Sequence, residues 1–418
     1  MDPDPRAVLL RLFHVAVNAA SAANCVPPNL PAHPPGRTIV IGAGKAAAAM
    51  AKAVEDHWRG PLSGLVITRY GHGVPCREIE VVEAGHPVPD EAGAAAAERM
   101  LSLVQGLSKD DLVLALISGG GSSLFALPAP GVALSDKQAV TRALLKSGAR
   151  IAEINCVRKH LSAVKGGRLA LAAQPATVMS LIISDVPGDD PETVASGPTA
   201  PDSTTREQAL AILNKYEIAI PAAVKIWLES PASETPKPGH PAFARVQNHI
   251  IARARDALSA TASEADAMGF RVVDLGDAIE GEARLVARTH AELALRQRAE
   301  EKSCVLISGG ETTVTVKGQG RGGRNSEYLL ALALALDGAA GIWAIACDTD
   351  GIDGTEANAG AIIGPDTLAR GKALGADGQA ALARNDSYGF FAALSDLVET
   401  GPTRTNVNDF RAILVRPS

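Results

Sequence analysis

The sequence predicts an α/β protein of two lobes, with a mostly parallel sheet in the N-terminal lobe and a smaller mixed α/β arrangement in the C-terminal one. Three observations predict it. Short apolar runs ending in glycine alternate with Ala-rich stretches of helical period, the rhythm of parallel strands covered on both faces. A chain of 418 residues, 46% of them hydrophobic, can bury more than one core. Finally, the stretch Leu228 to Pro241 (LESPASETPKPGHP) is rich in Pro, Ser and Thr and breaks both periodicities, which puts the expected domains at 1–235 and 242–418.

In the first lobe, strands are expected at Thr38–Ile41, Gly64–Thr68, Ile79–Glu83, Asp111–Ile117 and Thr177–Ser184. Helices are expected from Lys45, from Asp90, from Ser135 and across Ile151–Ala173. A second series begins near Val246. The opening MDPDPRAVLLRLFHVAV is interrupted by Arg6, Arg11 and His14, so it reads as an amphipathic helix and not as a basic segment leading into a clean apolar one. The run Tyr328–Cys347 approaches the roughly 20 apolar residues of a membrane span, but Asp337, Gly338 and Gly341 divide it into helix, turn and buried strand. No membrane partner is expected. The formal charge of -6 carries no basic excess for nucleic acid. The five scattered cysteines form no CxxC pair and fit a reducing cytoplasm.

Four motifs carry chemistry. In IVIGAGKAAAAM, Lys45 follows a strand and a glycine turn at a helix start, where an ammonium adds to positive potential unless an anion is bound. The same turn reads as GxGxxA, a dinucleotide fingerprint, yet Arg69 and Tyr70 stand where the ribose-binding acid belongs after the next strand. It is no Walker A loop: Ile39 replaces the first glycine and Ala46 the metal-binding hydroxyl. Next, SGGGSS (Ser118, Gly119, Gly120, Gly121, Ser122, Ser123) ends an apolar strand and offers backbone N–H groups and hydroxyls to a phosphate. LISGGE repeats the pattern at Gly309 and Gly310, giving a second expected glycine loop at a strand end.

The third group is acidic. Asp185, Asp189 and Asp190 lie in ISDVPGDDP, and Asp348, Asp350 and Asp353 in CDTDGIDG. Both segments follow apolar runs, so the carboxylates gather at strand ends, where they either hold Mg²⁺ or cap turns and helices. The fourth is cationic. Arg321 and Arg324 lie in the glycine-rich loop GQGRGGRN, and a guanidinium there suits a carboxylate or phosphate clamp. The run Arg158, Lys159, Lys165 and Arg168 reads as a solvated helix face.

Taken together, GAGK, GHPVPDEAG, SGGGSS, INCVRKHLSAVKGGRLA, ISDVPGDDPETVASGPT, SGGETTV, GGRNSE, CDTDGIDG and TGPTRTNVNDF resemble the glycerate 2-kinase family whose C-terminal domain is named for its MOFRL motif. The resemblance runs from Lys45 nearly to the C-terminus. It implies a Rossmann-like N-terminal lobe, ATP-dependent phosphorylation of D-glycerate to 2-phosphoglycerate with Mg²⁺, and an active site in a cleft between the lobes. By position it makes Lys45, Asp185 and Arg324 catalytic, Ser118 to Ser122 the phosphate loop, and Asp350 and Asp353 acids near metal or nucleotide phosphate; Asp189, from the acidic cluster, is the third expected metal carboxylate. Ser326, the Cys347–Asp348 pair and Arg404 depart from the family pattern. The rival reading is an NAD(P)-dependent hydroxypyruvate reductase, prompted by Gly42 and Gly44.

Overall fold

The computed structural model describes residues 4–301 and 303–417. They form two compact units, one of Ala22–Ile251 and one that joins the first 21 residues to Ala252–Ser418. The first unit is built on a six-stranded sheet of β1 (Thr38–Ala43), β2 (Ser63–Arg69), β3 (Ile79–Ala84), β4 (Leu112–Ser118), β5 (Thr177–Ile183) and β6 (Val246–Ala252). Their spatial order is β3-β2-β1-β4-β5-β6. The pairs β1–β2, β2–β3, β1–β4 and β4–β5 are all parallel. This is the doubly wound order, in which the direction of winding reverses between β1 and β4.

β1 and β4 are buried along their whole length, which explains why both read as unbroken apolar runs and not as alternation. Helix Ala47–His57 lays Ala47, Ala48, Met50, Ala51 and Val54 inward, and its small side chains let it approach closely. Helix Glu91–Leu103 starts at its Asp90 cap, whose carboxylate accepts the Gly93 N–H at 3.0 Å. A separate apolar cluster, including Val140, Leu144, Ile154, Val157 and Leu213, holds together the helices Leu134–Lys146, Ile151–His160, Arg206–Lys215 and Ala222–Glu229.

Three expectations are corrected here. The helix expected across Ile151–Ala173 is two: the first, Ile151–His160, ends at its Leu161 cap, and Gly166 and Gly167, at φ of 57° and 80°, turn the chain into the second, Arg168–Ala172. The stretch Leu228–Pro241 is no boundary: it lies inside the first unit, whose edge strand β6 comes after it. And the opening helix, Pro5–Ala19, packs on helix Ala254–Ala267 and on the last strand, and so belongs with the C-terminal residues. Among the described residues no single helix is long and apolar enough to cross a membrane.

The second unit holds β7 (Arg271–Asp274), β8 (Gly281–Glu282), β9 (Cys304–Gly310), β10 (Thr312–Thr313), β11 (Ile342–Asp348), β12 (Gly360–Ile363), β13 (Leu397–Val398) and β14 (Asp409–Val415). Its main sheet runs β13-β12-β11-β14-β9-β7. Only β7–β9 is parallel there; β14, last in the chain, inserts antiparallel between β11 and β9. The sheet is mixed, as expected. Helix Arg324–Leu336, turn and strand β11 divide the Tyr328–Cys347 run as the sequence suggested.

Candidate active site

In the first unit the candidate groups collect at the carboxyl ends of β1 and β4, where the winding reverses. The Lys45 N–H donates to the Gly119 carbonyl at 2.8 Å, and the Ala46 N–H donates to the Ser118 hydroxyl at 3.0 Å. The GAGK turn and the SGGGSS loop are thus tied to each other. Gly120 has φ of 80°, and a Cβ there would lie 3.2 Å from Lys45 Cγ and 3.0 Å from His86 Nε2. The lysine stem and the His86 ring therefore lie across this glycine. Ser118 is fully buried and spent on the turn, whereas Ser122, half-buried, shares a 2.8 Å hydrogen bond with Ser196. Asp185 follows β5 at the same end of the sheet and is half-buried. Asp190 is a cap: it accepts the Glu192 N–H at 3.0 Å and the Thr193 hydroxyl at 3.3 Å. Asp189 sits in the same turn at φ of 53°.

The glycines of the first motif have a packing cause. A Cβ on Gly42 would lie 2.1 Å from the Leu116 carbonyl oxygen, and one on Gly44 2.1 Å from Ser118 Oγ. They bring β1 close against β4. At the end of β2, Tyr70 turns its hydroxyl to Asp90 at 2.8 Å.

In the second unit Arg324 opens helix Arg324–Leu336 and is clasped by three acids. Its Nε donates to Asp409 at 2.8 Å, Nη2 to Asp348 at 2.9 Å, and Nη1 to Glu311. Burial works against its charge, but Asp409, Asp348 and Glu311 more than reverse this and hold it charged beyond the usual range. Asp409 is held in turn by Asn325 Nδ2 at 2.8 Å and by Arg411. Asp409 and Glu311 were not singled out from the sequence, although they lie in the motifs NVNDF and LISGGE.

Two site expectations are corrected. Asp353 is not placed as a metal carboxylate: its oxygens accept the Asn325 N–H at 2.9 Å, the Ser326 N–H at 2.8 Å and the Ser326 hydroxyl at 2.6 Å. It caps the helix that Arg324 opens. Nor do Gly309 and Gly310 form a second open loop. Gly309 donates to Gly276 at 2.9 Å and accepts from Ile279 at 3.2 Å, and a Cβ on Gly310 would lie 2.3 Å from Ile279 N. Asp350 is buried and accepts the Ile352 N–H at 2.8 Å. Among the described residues no three His, Cys, Asp or Glu side chains form a ready metal cage.

The expected solvated face Arg158–Arg168 is also corrected. Lys159 and Lys165 are 4% and 1% exposed, and Lys159 donates to Glu192 at 2.9 Å and Asp202 at 3.2 Å. The departures from the family pattern have uses of their own. Ser326 caps through Asp353, Asp348 binds Arg324, and Arg404 takes φ of 58°, a conformation glycine adopts more easily.

Family models match a domain of unknown function, DUF4147, over residues 8–229 and the MOFRL family over residues 304–409. The chain is 42% identical to a D-glycerate 2-kinase of Thermotoga maritima, over 98% of each. The chain belongs to the MOFRL-type glycerate kinase family. The crystal structure of a glycerate kinase from Thermotoga maritima superposes with a TM-score of 0.90 at 41% identity, covering 98% of this chain and 99% of that one. An Agrobacterium vitis protein named as a candidate hydroxypyruvate reductase is 53% identical over 99% of this chain and 95% of its own. Glycerate kinase relatives extend to Homo sapiens, at 37% identity over 82% of this chain and 75% of that one.

Proposed function

We propose that this chain transfers the γ-phosphoryl group of ATP to the 2-hydroxyl of D-glycerate, giving 2-phosphoglycerate and ADP. The observation that carries the reading is Lys45 lying across the SGGGSS loop at the reversal point of the first sheet, the position where open α/β sheets bind ligands. Phosphoryl transfer asks little covalent chemistry of a protein, so positioning and charge dominate. Lys45 faces the transferring phosphoryl group, the Gly119 to Ser122 segment holds phosphate oxygens, and Asp185 orients the attacking hydroxyl or takes its proton. Arg324, clasped by its three acids, is a fixed charge whose position the second unit sets.

Mg²⁺ favours one or two carboxylates with water and phosphate oxygens completing an octahedron. Asp350 and Asp189 are the carboxylates that fit such a role; Asp353 does not. When bound, the ion neutralises charge on the phosphates. The five cysteines are all thiols, in keeping with a cytoplasmic enzyme.

The reductase reading is disfavoured by Arg69 and Tyr70 standing in place of a ribose acid after β2, with the Tyr70 hydroxyl given to Asp90. The test is to supply D-glycerate with MgATP and, separately, hydroxypyruvate with NADH. ADP formation with a phosphorus resonance on carbon 2 is expected. Phosphate on carbon 3 overturns the regiochemistry, and NADH loss without ADP formation overturns the kinase reading.

A further inference from the structure

The first unit contains a cavity of about 230 Å³ walled in part by Val88 and Leu134 and floored by His86 and Gly120 of the SGGGSS neighbourhood. Four cations line it: Arg142, which is exposed, and three set deeper, Lys137, Arg158 and Lys165. Lys137 and Lys165 are 6% and 1% exposed. Lys137 donates to the carbonyls of Ala126 and Leu127 at 3.1 and 3.2 Å, and Lys165 to that of Phe125. An ammonium has three N–H donors, so these carbonyls leave at least one on each lysine for another partner. No carboxylate of the described residues forms an ion pair with any of the three cations, in contrast to Lys159 nearby, which has two.

Such a cluster is costly to bury. Lys137 occupies the inward stripe of its helix with Val140 and Leu144, a position where an apolar residue would pack without penalty. Burial first, and the charge of Arg158 second, push the Lys137 ammonium down to about 7. Burial and the other two cations push Lys165 well down as well. Two buried amines and a guanidinium with no acid beside them form a cluster that a bound anion would hold charged.

We infer that this cavity is the acceptor subsite, in which Lys137, Arg158 and Lys165 hold the carboxylate of a small hydroxy acid. The inference rests on the kinase reading for the identity of that acid. Size favours it: the cavity is smaller than the roughly 300–1,000 Å³ pockets that enclose drug-sized ligands, so it takes a three-carbon acid and not a whole nucleoside triphosphate. Position favours it too. Gly120 and His86 belong to the cavity lining, and Lys45 Cγ would lie 3.2 Å from a Gly120 Cβ, so a hydroxyl of the seated acid is brought towards the lysine that faces the phosphoryl group.

The experiment uses the full chain with Lys137→Met, Lys165→Met and Arg158→Gln. Binding of D-glycerate, glycerol and MgATP is measured by calorimetry, alongside KM for each substrate and thermal unfolding without ligand. Each variant is expected to weaken D-glycerate binding and raise its KM by about 10- to 100-fold, the loss of one charge-assisted hydrogen bond. ATP affinity changes less than about 3-fold. Glycerol, lacking the carboxylate, does not bind. The two Met variants unfold at the same temperature as the parent or higher, because a buried unpaired charge has gone; a merely structural pair of lysines would lower it. Weakened MgATP with unchanged glycerate assigns the cations to the nucleotide and overturns the inference, as does unchanged binding of both. If the parent binds D-glycerate and the variants do not, yet no ADP forms, the subsite stands and the kinase reading falls.

Discussion

Replacing Arg324 by alanine tests whether this residue is first of all the keystone of a charge cluster. Its guanidinium spans Asp409, Asp348 and Glu311, whose side chains are 0%, 8% and 50% exposed. The Glu311 pair is half in water and contributes at most about 1 kcal/mol. The other two are different, because truncating the arginine leaves buried carboxylates facing each other with less compensation. Breaking a buried pair from one side costs about 3–5 kcal/mol. Asp409 keeps Arg411 and Asn325, and Asp348 keeps the Asp350 N–H at 3.0 Å, so the cost belongs at the lower end of that range.

For a unit of this size each kcal/mol moves the unfolding midpoint by about 2–4 °C, so Arg324→Ala should unfold at least about 6 °C lower. The assay is differential scanning calorimetry beside turnover at a temperature where the variant remains folded. Adding Asp348→Asn to Arg324→Ala should restore part of the loss, since one of the facing buried carboxylate charges is removed. An Arg324→Ala protein that melts within about 2 °C of the parent, with no effect of the second substitution, refutes the keystone reasoning. Arg324 would then be a free clamp, and its catalytic effect could be read directly.

Lys159→Ala strands buried Asp202 in the same way and should cost about 3–5 kcal/mol in thermal unfolding, while Lys159→Met with Asp202→Asn costs less. Lys45→Ala should lower kcat by about 10²-fold or more with the melting temperature nearly unchanged; near-normal turnover removes it from the chemistry. Asp353→Asn should destabilise by about 1–2 kcal/mol through the weakened helix cap and leave the Mg²⁺ requirement alone, whereas Asp350→Asn raises the Mg²⁺ concentration for half-maximal rate. Burial, aided by Arg411, holds His290 down at about 4 against the ordinary 6.5. The unfolded chain therefore binds the proton first, and stability falls as pH drops from about 6.5 to about 4, by about 3 kcal/mol in all. His290→Gln should flatten that slope in urea titrations across this range.

The parts legible in the sequence were those fixed by local pattern. β1 and β4 announce themselves as unbroken apolar runs, the Asp90 cap marks its helix, and Lys45 stands out because its charge is misplaced at a helix start. The rest depends on distant partners. Nothing near Asp353 in the chain says that it caps a helix beginning 29 residues earlier, and an acid at a strand end looks the same whether it meets a metal or backbone N–H groups. Strand order in the second sheet was likewise hidden, because β14 pairs with residues about a hundred positions away.

The basic run Arg158–Arg168 is the most instructive miss. A charge series at near-helical spacing reads as a solvated face only while the helix continues, and here it stops at His160, with Gly166 and Gly167 at positive φ turning the chain before the next helix. That break turns Lys165 into the core, beside a lysine whose own helix places it on the apolar stripe with Val140 and Leu144. The signal was therefore present as a conflict: lysine where the period demands an aliphatic side chain, and paired glycines where it demands continuity. Local rules broken together at one place, with no acid supplied to repair them, mark a site kept for something other than stability. The second unit supplies the contrast, since its buried arginine is surrounded by acids from its own chain. Among the described residues no acid pairs with Lys137 or Lys165, so added anion should raise the unfolding temperature of the parent and leave that of the Lys137→Met, Lys165→Met double variant where it was.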